Sequence, residues 1–275
     1  PDMTLEERME VTKIHSIAGT LPHGASLLTQ RPFRSPHHTI SPAGLSGGGS
    51  IPRPGELSLA HNGVLFLDEL PEFPHATMEV LRQPIEDGTV TISRVSGSVT
   101  YPCAIMLVAA MNPCPCGYFG HPTRRCTCRP AAVERYLNRV SGPLLDRLDL
   151  HIEVPPVNFD ELSAPRCGDS SEQIRRRVND ARKIQNQRFA GTGISCNARI
   201  PTEMLDDICM LTRAGRKLLR EAFEKLDLSA RAYDRVLKVA RTIADLAGSE
   251  EIEPAHVAEA VQYRSLDHKY WAREL

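Results

Sequence analysis

The stretch Gly63–Leu70, GVLFLDEL, limits the possible folds more than any other part of the chain. Val64, Leu65, Phe66 and Leu67 form an uninterrupted apolar run bounded by Gly63 and Pro71. Such a run reads as a strand buried on both faces, typical of a parallel sheet covered by helices. Asp68 and Glu69 then stand at the carboxyl end of the strand, where open α/β sheets bind their ligands. This is the pattern of a Walker B strand, in which Asp68 helps to hold a nucleotide-bound Mg²⁺ and Glu69 orients or deprotonates the attacking water. Acids at strand ends are also common at solvent-facing turns, so the rest of the chain has to decide.

A second wholly apolar run, Ala104–Ala110, suits the same kind of sheet and ends in Met111-Asn112-Pro113. Beside the acidic strand, Asn112 is a candidate sensor, an amide able to hold a water or a γ-phosphate oxygen without adding charge. On its own a terminal Asn is most often a turn former. Between the two strands the spacing of Met78, Val80, Leu81 and Ile85 predicts a helix over Pro74–Asp87, stopped by Gly88. Two β-branched runs, Thr89–Arg94 and Ser98–Tyr101, flank Ser96-Gly97 and predict a β-hairpin with Arg94 close to its tip.

Directly after Asn112 come Cys114, Cys116, Cys126 and Cys128, two Cys-x-Cys pairs on a proline- and glycine-bent loop. Two close thiolate pairs can meet tetrahedrally around Zn²⁺, although the usual knuckle is Cys-x₂-Cys. His121 is a possible substitute ligand, and four reduced or redox-active thiols are the alternative. Eight cysteines in a chain with no secretory feature do not suggest a disulfide scaffold.

The remaining segments frame these motifs. Thr4, with Glu7 three residues on, predicts a capping box at the start of a helix that Gly19 ends. Thr20–Pro54 is broken by prolines and reads as a long ordered loop with little regular structure. Its glycine run, Gly44–Ser50, lacks a Gly-Lys-Ser/Thr ending, and His37 and His38 read as polar loop histidines rather than metal ligands. Arg129, Arg135 and Arg139 give a basic face to a helix over Ala131–Val140. Arg147, between Asp146 and Asp149, is either a surface ion pair or an arginine offered to a neighbouring subunit's nucleotide. The chain then runs into a strand over Leu150–Val154.

At 275 residues there is room for two domains. We expect a core over 1–157, a linker over 158–170 and a helical domain over 171–275, with helices at Ser171–Phe189, Thr202–Leu211, Ala214–Leu226, Ala230–Gly248 and Pro254–Tyr263. The fourth of these carries an apolar stripe (Val236, Val239, Ala240, Ile243, Leu246) and an opposite basic face of Arg231, Arg235, Lys238 and Arg241. Such a face is usually solvated; Arg231, in the first turn, is singled out because a helix start in a lid can aim at a nucleotide. The net charge of −1 provides no global basic field, so any nucleic-acid contact must come from local patches. No apolar run is long enough to span a bilayer, and a cytoplasmic location is expected.

The order acidic strand, helix, hairpin, Asn-ended strand, LLDR, helical lid resembles an AAA+ ATPase of the hairpin-before-sensor clade, which includes Mg-chelatase motor subunits and MCM helicases. The strings PFRSPHHTIS, GVLFLDELPEF, AAMNPCPCGY, SGPLLDRLDL and LSARAYDRVLKVARTIADL are similar to the Mg-chelatase-like ComM/YifB family. The match covers essentially the whole chain. The resemblance implies an α/β fold with an AAA+ parallel-sheet core and a pre-sensor-1 hairpin, followed by an all-α lid. It implies Asp68 and Glu69 as Walker B acids, Asn112 as sensor 1, Arg147 as arginine finger, Arg231 as sensor 2, and Arg94 as a DNA contact. The family's P-loop is missing from this sequence, so the P-loop strand is expected to be absent from the sheet and the chain is expected to be a C-terminal fragment that binds nucleotide poorly.

The resemblance further implies an ATP- and Mg²⁺-dependent DNA motor. It would form a ring, expected to be hexameric, and act as a helicase or in branch migration on branched or single-stranded DNA during recombination and natural transformation. The competing readings are an Mg-chelatase-type ATPase that remodels a protein partner, and a non-enzymatic zinc-stabilised binding module.

Overall fold

The computed structural model describes residues 1–49, 52–94, 97–157 and 168–264. The chain divides into two compact units, Asp2–Leu148 and Asp149–Leu275. Most of the expected linker lies outside the described residues. No helix among the described residues is long and apolar enough to cross a membrane.

The first unit opens with α1 (Leu5–Ala18). Thr4 and Glu7 make the expected reciprocal cap, and Gly19 closes the helix in the left-handed region at φ 72°. The proline-rich segment that follows has more structure than its sequence suggests. It holds β1 (Phe33–Arg34), α2 (Pro42–Ser46), β2 (Gly47–Gly48) and β3 (Arg53–Pro54). Next come α3 (Glu56–Leu59) and β4 (Val64–Leu67). The single helix expected over Pro74–Asp87 is two, α4 (His75–Val80) and α5 (Arg82–Asp87). Pro84 has no N–H to give to Val80 and crowds its carbonyl, so the ladder breaks there. The hairpin is β5 (Thr89–Arg94) with β6 (Gly97–Pro102), in a register that pairs Arg94 with Gly97. Gly97 therefore belongs to the strand rather than to the turn. β7 (Met106–Ala109), α6 (Pro130–Leu137) and α7 (Gly142–Leu145) complete the unit.

β1, β4 and β7 form a three-stranded sheet in that order, all parallel. The expectation of strands buried on both faces holds for one face of β4 only, and no residue of β7 is fully buried. Leu65 and Leu67 are fully buried, whereas Phe33 and Met106, in the row through Val64 on the other face, are 64% and 61% exposed. On that side Val64 and Phe66 are only partly buried, and the Phe33 ring stacks on Phe66. Gly63 sets the spacing at the head of the sheet, because a Cβ there would sit 2.1 Å from the Pro32 carbonyl oxygen.

In the second unit the extended residues Leu150–Val154 are not in a strand. Among the described residues no strand pairs with them, and Ile152 and Val154 are exposed. The helices are α8 (Ser171–Arg188), α9 (Leu205–Ile208, after a 3₁₀ turn at Thr202–Met204), α10 (Arg213–Lys225), α11 (Ala230–Ala247) and α12 (Pro254–Gln262). They enclose a core built from Phe189, Ile200, Leu219, Val236, Leu237, Ala240 and Val257. The buried stripe of α11 is rotated from the expected one: Leu237 and Ala244 face inward and Leu246 is exposed. Its basic face is only partly solvated. Arg241 is 1% exposed, donates from Nε to Asp245 at 3.1 Å, and caps the carbonyls of Ser249 and Glu250.

Candidate functional site

The sheet brings the sequence-predicted acids and the amide to one edge. Ala110 donates to the Leu67 carbonyl at 2.9 Å and Leu70 donates to the Ala110 carbonyl at 3.0 Å. These two bonds hold the exits of β4 and β7 side by side, so that Asp68, Glu69 and Asn112 all leave the carboxyl ends of adjacent strands. All three are exposed. Asp68 Oδ1 accepts the Glu69 N–H at 2.9 Å.

Glu69 has φ 54° and ψ 45°, the left-handed region for a residue with a full side chain. That conformation costs about 1–3 kcal/mol, and residues held in it cluster at functional positions; Asn62 and Asp227 share its positive φ elsewhere in the chain. It turns the chain sharply into the 3₁₀ segment Leu70–Glu72. The Glu69 carboxylate meets His38 Nδ1 at 3.1 Å. The His38 ring lies 4.0 Å from that of His37 and edge-on to Phe73. Sequence reasoning missed His38, because the two residues are far apart in the chain and only the pairing of β1 with β4 brings them together. The exposed oxygen donors Asp68, Glu69 and Asn112 are the hard ligand set that suits Mg²⁺ and its bound water.

The three arginines singled out from the sequence are placed differently. Arg147 is engaged within its own unit: Nη2 meets Glu86 at 2.8 Å and Nη1 donates to the Pro143 carbonyl at 2.6 Å. Its Nε is buried without a hydrogen-bond partner among the described residues. The flanking Asp149 pairs instead with Arg235, at 2.6 Å. Arg231 is exposed in the first turn of α11, whose cap is Ser229. Arg94 is the last residue of β5, and its side chain lies outside the described residues. The hairpin below it is tied to the rest of the unit through buried Val90, Ile92 and Tyr101, and the tyrosine hydroxyl donates to the Pro52 carbonyl at 3.0 Å.

The four cysteines converge. Their Sγ atoms all lie within 4.8 Å of one another, and Cys114, Cys116 and Cys126 are 3.4–3.7 Å apart. Four sulfurs at about 2.3 Å from a tetrahedral Zn²⁺ would be about 3.8 Å apart, whereas a disulfide needs about 2.05 Å. The donor set and its spacing therefore fit a single zinc ion. His121 is not part of the cluster; its Nδ1 accepts the backbone N–H of Thr123 and of Arg124. The backbone N–H groups of Tyr118 and Thr127 pull the Cys116 thiol down to about 5. The Cys128 amide acts in the same sense on Cys126, but desolvation and the neighbouring sulfurs overcome it and push that thiol up to about 12. One thiolate thus penalises the next, a conflict that a bound dication removes.

Residues 1–162 match the family model described as magnesium chelatase, subunit ChlI, and residues 168–264 match the model of its C-terminal part. The chain is 45% identical over 267 residues to competence protein ComM of Haemophilus influenzae, covering 97% of this chain and 51% of that protein. It is 45% identical over 270 residues to YifB of Escherichia coli, covering 97% and 52%. A Mycobacterium tuberculosis protein is 42% identical over 265 residues, covering 96% and 52%. The chain thus spans about half the length of the curated relatives it matches.

Proposed function

The chain belongs to the magnesium chelatase ChlI family of AAA+ proteins, among the relatives of ComM and YifB, and on that premise we propose that it is part of an ATP-driven, ring-forming motor that moves DNA. The observation that carries the reading is the pair Asp68-Glu69 at the carboxyl end of the central strand of a parallel sheet, with Asn112 leaving the adjacent strand. Bound Mg²⁺ would neutralise charge on the nucleotide phosphates, and Asp68 is the residue to hold it. Glu69 takes up the proton of the attacking water, and Asn112 holds that water or a γ-phosphate oxygen in place. Arg147 serves the site of a neighbouring copy in a hexameric ring, and Arg231 is the lid's cation. The four cysteines take Zn²⁺ as a structural ion, outside the nucleotide chemistry.

DNA is the proposed partner, branched or single-stranded, gripped through Arg94 on the hairpin by phosphate-directed, salt-sensitive contacts. The name of the Haemophilus relative links it to competence, in keeping with the helicase or branch-migration work in recombination, in the cytoplasm, that we assign to the motor. The family description favours a second reading, an ATPase that remodels a protein partner.

The test is ATP hydrolysis by the full-length protein, with and without branched DNA, beside Glu69→Gln. Turnover that rises with DNA and vanishes in the variant supports the motor. Turnover that needs Glu69 but ignores DNA supports the remodelling ATPase. A variant as fast as the wild type refutes both.

A further inference from the structure

From Gly88 to Val133 the sequence contains no Asp or Glu but does contain Arg94, Arg124, Arg125 and Arg129, in a chain whose net charge is −1. Arg94 belongs to the hairpin. The other three belong to the cysteine-closed loop, to which the proposed motor assigns no contact.

That loop has a defined shape. Gly117 donates to the Cys114 carbonyl at 3.0 Å, and the Arg124 amide donates to His121 Nδ1 at 3.0 Å. The Arg124 guanidinium lies 5.3 Å from the centre of the Tyr118 ring and donates to its hydroxyl at 2.8 Å. Phe119, next to it, is 42% exposed. Arg124, Arg125 and Arg129 are exposed, and none is among the ion pairs of the described residues. Elsewhere in the same unit exposed or half-exposed arginines do find carboxylates, as Arg139 does with Glu72 and Arg82 with Glu79.

Three exposed guanidinium groups outside any ion pair among the described residues, on a loop that also carries Tyr118 and the exposed Phe119, make the combination that tracks a phosphate backbone and stacks unpaired bases. Unpaired bases stack on an exposed ring whatever their sequence, and the phosphates beside them answer the charges. We propose that the loop Gly117–Arg129, held in shape by zinc at Cys114, Cys116, Cys126 and Cys128, is a second DNA contact, specific for single strands. The proposal rests on the reading of DNA as partner and adds a contact distinct from the hairpin.

The experiment uses the full-length protein and a fluorescent oligothymidylate, with anisotropy followed over a salt series and zinc measured by mass spectrometry. Arg124→Glu with Arg125→Glu is expected to keep zinc, to weaken binding at least tenfold, and to reduce the slope of log K against log salt by about 1.4, two single-strand phosphate contacts. Phe119→Ala is expected to weaken binding about fivefold or more with the slope unchanged, the signature of lost stacking. If the arginine pair loses zinc, Phe119→Ala decides alone. Wild-type affinity in the zinc-loaded variants overturns the proposal and leaves the hairpin contact standing. A wild type that binds no oligonucleotide overturns both this contact and DNA as the partner.

Discussion

Asp245→Ala should be the most destabilising single change in the helical unit. The Asp245 side chain is fully buried and accepts from four donors: Arg188 Nη1 at 2.8 Å, Arg188 Nη2 at 2.5 Å, Asn197 Nδ2 at 2.7 Å and Arg241 Nε at 3.1 Å. Removing the carboxylate leaves two guanidinium groups facing one another, one of them 1% exposed. Breaking a buried charge network from one side costs about 3–5 kcal/mol, a large share of the roughly 5–15 kcal/mol that stabilises a domain. Burial alone would raise the Asp245 carboxyl, but its hydrogen bonds from Arg188 and Asn197 and the Arg241 charge outweigh it and hold the group below the usual carboxylate range. A group depressed on folding contributes stability that is fully present above its unfolded value, near pH 4, and is lost as pH falls through the folded value. The gap between wild type and variant should therefore be widest near neutral pH and narrow below about pH 4. Hydrogen exchange of peptides from α8 and α11, with denaturant midpoints at several pH values, measures it. A loss under 1 kcal/mol at pH 7, or a gap that widens on acidification, would refute the reasoning.

Two further perturbations test the candidate sites. His38→Ala frees the Glu69 carboxylate from a half-exposed pair worth at most about 1 kcal/mol, so unfolding should hardly change while DNA-independent ATP hydrolysis by the full-length protein rises by up to about fivefold; a fall would mean that His38 holds Glu69 in its productive position. Stripping zinc with a strong chelator, or Cys126→Ser, removes an ion that contributes about 2.7 kcal/mol when present at a hundred times its dissociation constant. At about 2–4 °C per kcal/mol, the thermal midpoint should drop by about 5–11 °C and recover on adding zinc to the wild type, and an unchanged midpoint would exclude a structural metal.

What could be read from the sequence was what local rules decide. The cap at Thr4, the stop at Gly19, the apolar runs of β4 and β7 and the hairpin all follow from the chemistry of neighbours. Long-range partners could not be read. β1 is two residues long, with no periodicity to find, and it exists because Val64 donates to the Pro32 carbonyl and Gly63 lets the chains approach. Leu150–Val154 has the composition of a strand but lacks a neighbour among the described residues. Arg241 looked like one of four solvated bases on α11, yet the helix is rotated so that a charge lies where an apolar residue was expected. Nothing in the local pattern distinguishes it from Arg231, which is exposed.

The candidate site divides along the same line. Asp68, Glu69, Asn112 and the four cysteines were legible because each sits in a motif whose spacing carries its chemistry. His38 and Glu86, the groups that engage Glu69 and Arg147, were not, since each meets its partner only through the fold. Their contacts have one consequence in common. In the proposed motor Glu69 must face a water and Arg147 must face a neighbour's phosphates, but in the isolated chain both are turned toward partners of opposite charge or hydrogen-bonding capacity. Arg147 also leaves its Nε buried and unpaired among the described residues. An arrangement that leaves a guanidinium donor unsatisfied is one from which the side chain can be withdrawn at reduced cost. In the proposed motor a neighbouring copy that offers Arg147 a phosphate therefore competes with the Glu86 ion pair and the Pro143 carbonyl, the two contacts that hold the guanidinium in the isolated chain.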